Sequence, residues 1–140
     1  TGAKIGDAET WQQRIGAVLA GGTAGLADGV VDRWFTKHFQ DAEPAAVDRV
    51  RTMILDTSAA GYAGCCAALR DCDLREDMKK ITVPTLVIAG THDPATPVDL
   101  ARDIEAAVRG SELVRLDAAH LSSIEQESQF IEAIAAFLKG

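Results

Sequence analysis

With 140 residues, of which 47% are hydrophobic, the chain is long enough to bury the core of a single domain. Its 21 acidic side chains outnumber its 14 basic ones, and the formal net charge of −7 argues against nucleic acids and anionic membranes as partners. No apolar run reaches the roughly 18 residues of a membrane span. No signal peptide precedes Thr1, so we expect a cytoplasmic protein.

The cysteines indicate neither disulfides nor a metal site. Cys65, Cys66 and Cys72 are odd in number, and two adjacent cysteines cannot readily bridge each other. Their spacing also differs from that of metal ligands. We therefore interpret all three as buried thiols on a helix.

Residues 1–80 are predicted to be helical. They begin with an irregular lead, Thr1–Gly6, which has neither a Met nor a helix cap and looks cut from something longer. Asp7, Pro44 and Ser58 are suited to the N-cap or the first turn of a helix, and each is followed by apolar residues at helical spacing.

Two further helical segments, Val31–Phe39 and Asp73–Lys79, have weaker start signals. Apolar residues at helical spacing in all five segments are expected to face inward. From the N-terminus, these residues are Trp11, Ile15, Val18 and Leu19; Val31, Trp34, Phe35 and Phe39; Val47, Val50, Ile54 and Leu55; Tyr62, Cys65, Cys66 and Leu69; and Leu74 and Met78.

Residues 81–140 change to an alternation of strand and helix. The segment Thr85–Ala89 is apolar without alternation, which is typical of a parallel strand covered on both faces. A helix is predicted after Thr96-Pro97, a second strand over Glu112–Asp117, and a final helix capped by Ser122 or Ser123. The expected inward residues of the two helices are Leu100, Ile104, Ala107 and Val108, and Ile124, Ile131, Ile134 and Leu138.

This order of elements predicts an α/β fold, in which a helical region over 1–80 precedes a β-α-β-α unit of a parallel sheet over 81–140. Two parallel strands leave both sheet edges unpaired and are too few for a stable sheet. Because their composition is that of interior strands, we expect more sheet beside them. It would come from another polypeptide, from an N-terminal part or from a second copy of this chain.

Each predicted strand is followed by a side chain that can take part in acid-base chemistry. Asp93 follows the first strand within Gly90-Thr91-His92-Asp93-Pro94, and His120 follows the second within Asp117-Ala118-Ala119-His120. Because the carboxyl ends of parallel strands meet at one edge of a sheet, the two side chains are predicted to pair as the acid and base of a nucleophile-histidine-acid relay. The alternatives are a turn aspartate and a structural or solvated histidine. We interpret His92 as a loop residue and His38 as a residue of a helix surface.

A nucleophile for this relay is missing from the sequence. Neither Gly-x-Ser-x-Gly nor its cysteine equivalent occurs, and Gly110-Ser111 follows a helix instead of leading from a strand into one. Ser122 and Ser123 lie too close to His120 in sequence to act other than as caps. There is also no glycine-rich oxyanion or phosphate loop. The chain alone is therefore predicted not to hydrolyse an ester.

The segments Val83–Pro97 and Leu116–Ser122 closely resemble those of α/β-hydrolase-fold enzymes, specifically the 3-oxoadipate enol-lactonases of the β-ketoadipate pathway of aromatic catabolism. The helical region is similar to the cap of that family, and the likeness covers essentially the whole chain. The residues that carry the likeness to the cap are Thr1–Gly6, Trp11, Arg14, Arg33-Trp34-Phe35, Tyr62 and Cys66–Arg75.

The resemblance implies that the chain is the C-terminal half of such a hydrolase, with the cap over 1–80 and the last strands and helices of the core over 81–140. Asp93 would orient His120, and His120 would act as general base, first for a serine and then for water. The substrate would be the enol-lactone, opened to 3-oxoadipate, with no metal or organic cofactor. Candidate substrate-binding residues are Trp11, Arg14, Trp34 and Leu121; the alternatives are cap core for the tryptophans and a solvated helix face for Arg14.

Three arrangements remain open at this point. A separate chain with the N-terminal half can complete the fold and supply the serine and the oxyanion hole, which is our preferred interpretation. The chain can instead self-associate into a catalytically silent oligomer. It can also be a binding module that uses the cap as its interaction surface. Substrate identity rests on the resemblance alone, and the sequence does not determine the oligomeric state or the mobility of the cap.

Overall fold

The computed structural model describes residues 2–140, so Thr1 of the predicted lead lies outside the described residues. The helices are α1 (Ala8–Gly21), α2 (Ala24–Trp34), α3 (Lys37–Ala42), α4 (Pro44–Asp56), α5 (Ala59–Asp71), α6 (Arg75–Met78), α7 (Val98–Ala107), α8 (Ser122–Glu125) and α9 (Glu127–Lys139). The strands are β1 (Leu86–Gly90) and β2 (Glu112–Leu116). No helix of the described part has the length and apolar character that crossing a membrane requires.

Backbone contacts group the chain into two compact units. Unit 1 comprises Arg33–Thr36, Leu74–Gly140 and, of the described N-terminal residues, Gly2 and Ala3. Unit 2 comprises Lys4–Asp32 and Lys37–Asp73. The predicted division of the chain at residue 80 stays a prediction.

The helix starts of unit 2 follow the sequence signals. The Asp7 carboxylate accepts a 2.8 Å hydrogen bond from the Thr10 backbone N–H at the start of α1, and Ser58 accepts one from the Gly61 N–H at the start of α5. Pro44 is the first residue of α4. Helices α1 and α5 share a core formed by Ile15, Ala63 and Cys66, with Trp11, Tyr62 and Ala67 packed against it.

Several predicted inward residues of unit 2 are exposed, so those predictions were wrong. Leu19 is 60% exposed, Leu55 and Leu69 are also exposed, and of the three cysteines only Cys66 is buried. Helical spacing identifies an apolar stripe, but it does not say how much of the stripe a neighbouring helix covers. These residues are exposed because the neighbouring helices of unit 2 cover only part of each apolar stripe.

The predicted continuous helix over Val31–Phe39 was also wrong. Helix α2 ends at Trp34, and α3 begins only at Lys37. Phe35 is fully buried in the break between them. The break separates Trp34 from Phe39 and places Arg33–Thr36 in unit 1.

Unit 1 contains the predicted β-α-β-α order. Strands β1 and β2 pair in parallel with a register that runs from Leu86 opposite Glu112 to Gly90 opposite Leu116. Helix α7 packs on the sheet through a core of Val87, Ala89 and Ala101, with Val98, Ile104 and Leu113 against it. Leu86 and Ile88 are only half-buried, so the expected cover on both faces of β1 is incomplete in this chain.

The last part of unit 1 departs from the prediction in two ways. Ser122 and Ser123 are the first residues of α8, whose N-cap position is Leu121 without a side-chain cap. The predicted final helix is divided at Gln126 into α8 and α9. Its expected inward residues are exposed, because no other part of the described chain covers that face. The exposed fractions are 38% for Ile124, 56% for Ile131, 36% for Ile134 and 76% for Leu138.

Candidate active site

The loops that follow β1 and β2 are joined by backbone hydrogen bonds. The Thr91 N–H donates to the Leu116 carbonyl at 2.8 Å, and the His92 N–H donates to the Ala118 carbonyl at 2.9 Å. The parallel pairing of the strands places both loops at the carboxyl edge of the sheet. In parallel α/β sheets this is the edge at which ligands bind.

Gly90 allows the second loop to approach the end of β1. A Cβ atom at this position would lie 2.1 Å from the Ala119 carbonyl oxygen and 2.4 Å from that of Ala118. Real Cβ atoms essentially never come within 3.0 Å of such atoms. His120 directly follows Ala119, so the close packing that positions His120 depends on the absence of a side chain at Gly90.

Asp93 is fixed within its own loop. Its Oδ1 atom accepts hydrogen bonds from the backbone N–H groups of Ala95 at 2.7 Å and Thr96 at 3.0 Å. This pattern is the turn that an aspartate side chain forms with the residues that follow it. Oδ1 is thereby occupied, and Oδ2 remains to bind other groups.

The other carboxylate oxygen of Asp93 pairs with His120. Nδ1 of His120 lies 2.7 Å from Asp93 Oδ2, so the structure brings the two predicted relay residues together. Because a carboxylate only accepts hydrogen bonds, the imidazole proton belongs on Nδ1 and Nε2 is left as the basic nitrogen. The Asp93 side chain is buried, whereas that of His120 is 28% exposed. This arrangement combines a shielded acid with a reachable base.

Thr96 adds a second hydrogen bond to the same oxygen. Its hydroxyl donates to Asp93 Oδ2 at 2.7 Å and lies 3.3 Å from His120 Nδ1. Thr96 is itself buried. Sequence reasoning assigns Thr96 only to a helix start; the signal that it overlooks is the spacing of Asp93 and Thr96, which suits a capping turn.

The environment of Asp93 lowers its pKa below the ordinary value of 3.8. Burial is the largest single effect, and by itself it would raise the pKa. The backbone hydrogen bond from Thr96, the hydrogen bond from His120, the Thr96 hydroxyl and the charge of His120 act in the opposite direction and together outweigh it. The site therefore favours an ionised Asp93 beside the imidazole.

Trp34 forms one wall beside the imidazole. Its ring stacks on that of His120, with centroids 5.8 Å apart and an interplanar angle of 30°. The Trp34 carbonyl also accepts a 3.0 Å hydrogen bond from the Leu121 N–H. Two predicted substrate-binding residues, Trp34 and Leu121, thus lie next to the predicted base, and their contact with substrate stays a prediction.

The other two predicted substrate-binding residues belong to unit 2. The Arg14 guanidinium lies 5.5 Å from the centre of the Trp11 ring, and Arg14 Nη1 is 3.5 Å from the Tyr62 hydroxyl. The Trp11 indole N–H donates to the Ile5 carbonyl at 2.6 Å. Arg14 thus contacts Tyr62 of α5, and Trp11 binds the segment before α1. A role for Trp11 and Arg14 in substrate binding also stays a prediction.

The remaining histidines lie outside the Asp93 pair. His92 Nε2 is 2.6 Å from Asp117 Oδ1, and both side chains are largely exposed. His38 is exposed on α3, as predicted. Across residues 2–140, no group of three or more His, Cys, Asp or Glu side chains is arranged to hold a metal ion.

Sequence reasoning also overlooks Glu125. Its carboxylate accepts a 2.9 Å hydrogen bond from the Ala119 N–H, immediately before His120, and further hydrogen bonds from Thr36. Glu125 and Thr36 are far apart in the chain, and no local pattern indicates that they meet.

Comparison with known proteins places this chain in a family. A family model described as TAP-like protein (Abhydrolase_4) matches residues 54–140. The chain is 38% identical over 139 residues to 3-oxoadipate enol-lactonase 2 of Acinetobacter baylyi and 36% identical over 137 residues to 3-oxoadipate enol-lactonase 1 of the same organism. These matches include 99% and 98% of this chain but 52% of each relative. The chain thus spans about half the length of the curated relatives it matches.

Solved structures give the same result. The crystal structure of the enol-lactonase from Burkholderia xenovorans is 38% identical, with a TM-score of 0.97, and the match covers 100% of this chain and 54% of that one. A hydrolase from Pseudomonas aeruginosa is also 38% identical, with a TM-score of 0.94, over 100% of this chain and 53% of that one. The predicted α/β fold class and the resemblance to enol-lactonases are confirmed by these matches.

Proposed function

The chain belongs to the TAP-like family of the α/β-hydrolases, and we propose that it carries the general base and the orienting acid of a serine-type ester or lactone hydrolase. The observation that carries the proposal is the 2.7 Å contact between His120 Nδ1 and Asp93 Oδ2 at the carboxyl edge of the parallel strands. This contact fixes the tautomer in which Nε2 can accept a proton. The homology to hydrolases supports the same chemistry.

In the proposed reaction, His120 moves one proton in each half. As a serine hydroxyl oxygen attacks the substrate carbonyl carbon, Nε2 takes the hydroxyl proton, and the leaving oxygen receives that proton when the ester bond breaks. Water then attacks the acyl-enzyme, gives its proton to Nε2, and the serine oxygen takes it back as the acid product leaves. Asp93 stays ionised throughout and stabilises the imidazolium.

We propose an enol-lactone as substrate, opened to 3-oxoadipate in aromatic catabolism. The support is the 38% identity to an enol-lactonase that extends over 99% of this chain. In a lactone the leaving oxygen stays attached to the acyl chain, so the first half-reaction releases no product. Only the attack of water frees the opened acid, whose enol then tautomerises to the 3-oxo form.

The serine and the oxyanion hole are proposed to come from an N-terminal half of the same hydrolase on a separate polypeptide, without which this chain is inactive. The matched relatives are about twice as long as the region they share with this chain. The apolar face of α9 around Ile131 and Leu138 is exposed, as expected of a surface that a further part of the core covers. A silent, self-associated oligomer is the alternative.

The three free cysteines fit a reducing compartment, and we propose that the hydrolase acts in the cytoplasm.

The proposal is tested by purifying the protein through a tag on this chain, determining the intact masses of all polypeptides present, and assaying hydrolysis of the enol-lactone and of p-nitrophenyl acetate. We expect a second polypeptide that reacts with a fluorophosphonate serine probe, and turnover that requires it. His120→Ala should abolish hydrolysis without changing the fold, whereas His38→Ala, an exposed residue of α3, should not affect it. Undiminished turnover in His120→Ala would refute the assigned base. A sample of this chain alone, with no turnover and a native mass of two or more copies, would identify the silent oligomer.

A further inference from the structure

Glu125, the last residue of α8, joins two distant segments of unit 1. Its Oε2 atom accepts the 2.9 Å hydrogen bond from the Ala119 N–H. Both carboxylate oxygens lie 3.3 Å from the Thr36 N–H, and Oε1 also binds the Thr36 hydroxyl. One carboxylate therefore holds the turn that carries His120 and the segment that follows Trp34.

The partners of Glu125 are themselves connected beside His120. Ala119 precedes His120 in the chain, and Thr36 follows Trp34 by two residues. The Trp34 ring stacks on the imidazole at 5.8 Å, and the Trp34 carbonyl accepts the 3.0 Å hydrogen bond from the Leu121 N–H. The contacts thus form a closed circuit from the histidine turn through Glu125, Thr36 and Trp34 back to the turn.

The Ala119 N–H needs Glu125 as its acceptor. Ala119 is 2% exposed, so this donor is shielded from water. A shielded N–H that loses its partner is costly, and the local backbone then shifts to recover one. Because His120 is the next residue, such a shift moves the imidazole relative to Asp93 and Trp34.

We propose that Glu125 is a positioning residue for His120, which acts through the Ala119 and Thr36 backbone to hold the imidazole between the Asp93 carboxylate and the Trp34 ring. The catalytic consequence rests on the proposed function, whereas the positioning itself does not. A reacting group displaced by about 1 Å can lose on the order of 100-fold in rate. Glu125 is therefore expected to affect kcat through the position of His120, without touching the substrate.

The hydrogen-bond partners make a conservative variant informative. All the groups bound by Glu125 are donors: two backbone N–H groups and one hydroxyl. In Glu125→Gln the NH2 group can bind only the Thr36 hydroxyl, which must turn to accept, and the two backbone N–H groups must share one neutral carbonyl oxygen. Glu125→Gln therefore weakens the circuit, whereas Glu125→Ala removes it. Glu127→Gln is the matched control, because Glu127 lies two residues away and is exposed.

The test compares wild type, Glu125→Gln, Glu125→Ala and Glu127→Gln in the hydrolase assembled with its serine-bearing half. Steady-state hydrolysis of p-nitrophenyl acetate gives kcat and KM, and ¹⁵N-histidine NMR reports the Nδ1–H signal of His120, assigned by its loss in His120→Ala. We expect kcat to fall about 10- to 100-fold in Glu125→Ala with KM nearly unchanged, and to fall by less in Glu125→Gln. We also expect the Nδ1–H signal to shift or broaden in Glu125→Ala, and both readouts to stay at wild-type level in Glu127→Gln.

A wild-type Nδ1–H signal together with wild-type kcat in Glu125→Gln and Glu125→Ala would overturn the proposal. So would an equal fall in kcat in Glu125→Gln and Glu127→Gln, since this would reflect the loss of a negative charge alone. If the wild-type protein does not hydrolyse the ester, the proposed function fails, while the NMR signal still reads the positioning by Glu125. Adding Thr36→Val to Glu125→Ala should lower kcat little further than Glu125→Ala alone; full additivity would contradict the shared circuit.

Discussion

The Thr96 hydroxyl donates a 2.7 Å hydrogen bond to Oδ2 of Asp93. The same oxygen lies 2.7 Å from Nδ1 of His120, and Oδ1 of Asp93 is occupied by the loop backbone. The carboxylate therefore has little freedom to rotate away from the imidazole. Its orientation is set in part by a side chain that lies 3.3 Å from the Nδ1 nitrogen of the imidazole.

Replacing this hydroxyl should destabilise the fold. Thr96→Val keeps the shape but leaves a buried carboxylate without one donor, so we expect the free energy of unfolding to fall by about 1.5–3 kcal/mol. Thr96→Ser retains the hydroxyl and should cost less. Urea unfolding of the two variants measures the difference. A larger loss of stability in Thr96→Ser than in Thr96→Val would mean that the methyl group, and not the hydrogen bond, stabilises the loop.

The low pKa of Asp93 predicts a loss of stability in acid. Because the folded-state pKa lies below the ordinary value of 3.8, the unfolded chain binds the proton more readily. The contribution of Asp93 is therefore fully present above pH 3.8 and is lost as the pH falls through the lower, folded-state pKa. Thermal unfolding as a function of pH in wild type and Asp93→Asn isolates this contribution. The unfolding temperatures of the two proteins should converge as the pH is lowered. A difference that stays constant with pH would contradict the assignment.

A methyl group at Gly90 should be poorly tolerated. Gly90→Ala places a Cβ 2.1 Å from a backbone carbonyl that cannot rotate away, so we expect a loss of about 3 kcal/mol or more in the free energy of unfolding. Gly16→Ala is the control, because Gly16 lies within α1 and a Cβ atom there would meet no neighbouring group of the described chain within 4 Å. That change should be neutral or stabilising by about 0.5–1 kcal/mol. Chemical denaturation of both variants is the measurement, and a harmless Gly90→Ala would show that the histidine turn packs less closely than described.

Thiol reactivity should distinguish the two adjacent cysteines. Burial raises the pKa of the Cys66 thiol and shields it, despite an opposing effect from the charge of Arg14. Cys65 is exposed. Iodoacetamide should therefore alkylate Cys65 well before Cys66 under native conditions, and both equally after denaturation. Peptide mass spectrometry over a time course measures the order, and a faster reaction at Cys66 would contradict the packing of α5 against α1.

The sequence by itself determined the local features. Asp7, Pro44 and Ser58 start helices in the structure, because caps and first turns are set by residues only a few positions apart. The alternation of strand and helix in the last 60 residues likewise predicted parallel pairing, since a helical connection returns the chain in the same direction. Parallel pairing in turn brought Asp93 and His120 to one edge.

Only the tertiary structure decided which surfaces are covered and what holds the histidine in place. Spacing put Leu19 and Leu138 on apolar stripes, but exposure depends on how far a neighbour extends along a stripe. The contact between Glu125 and Thr36 joins residues 89 positions apart. Such contacts arise from the packing of distant segments against each other, and this packing is not encoded in any short stretch of the chain. The sequence thus specified the acid and the base, whereas the fold specified the groups that orient them.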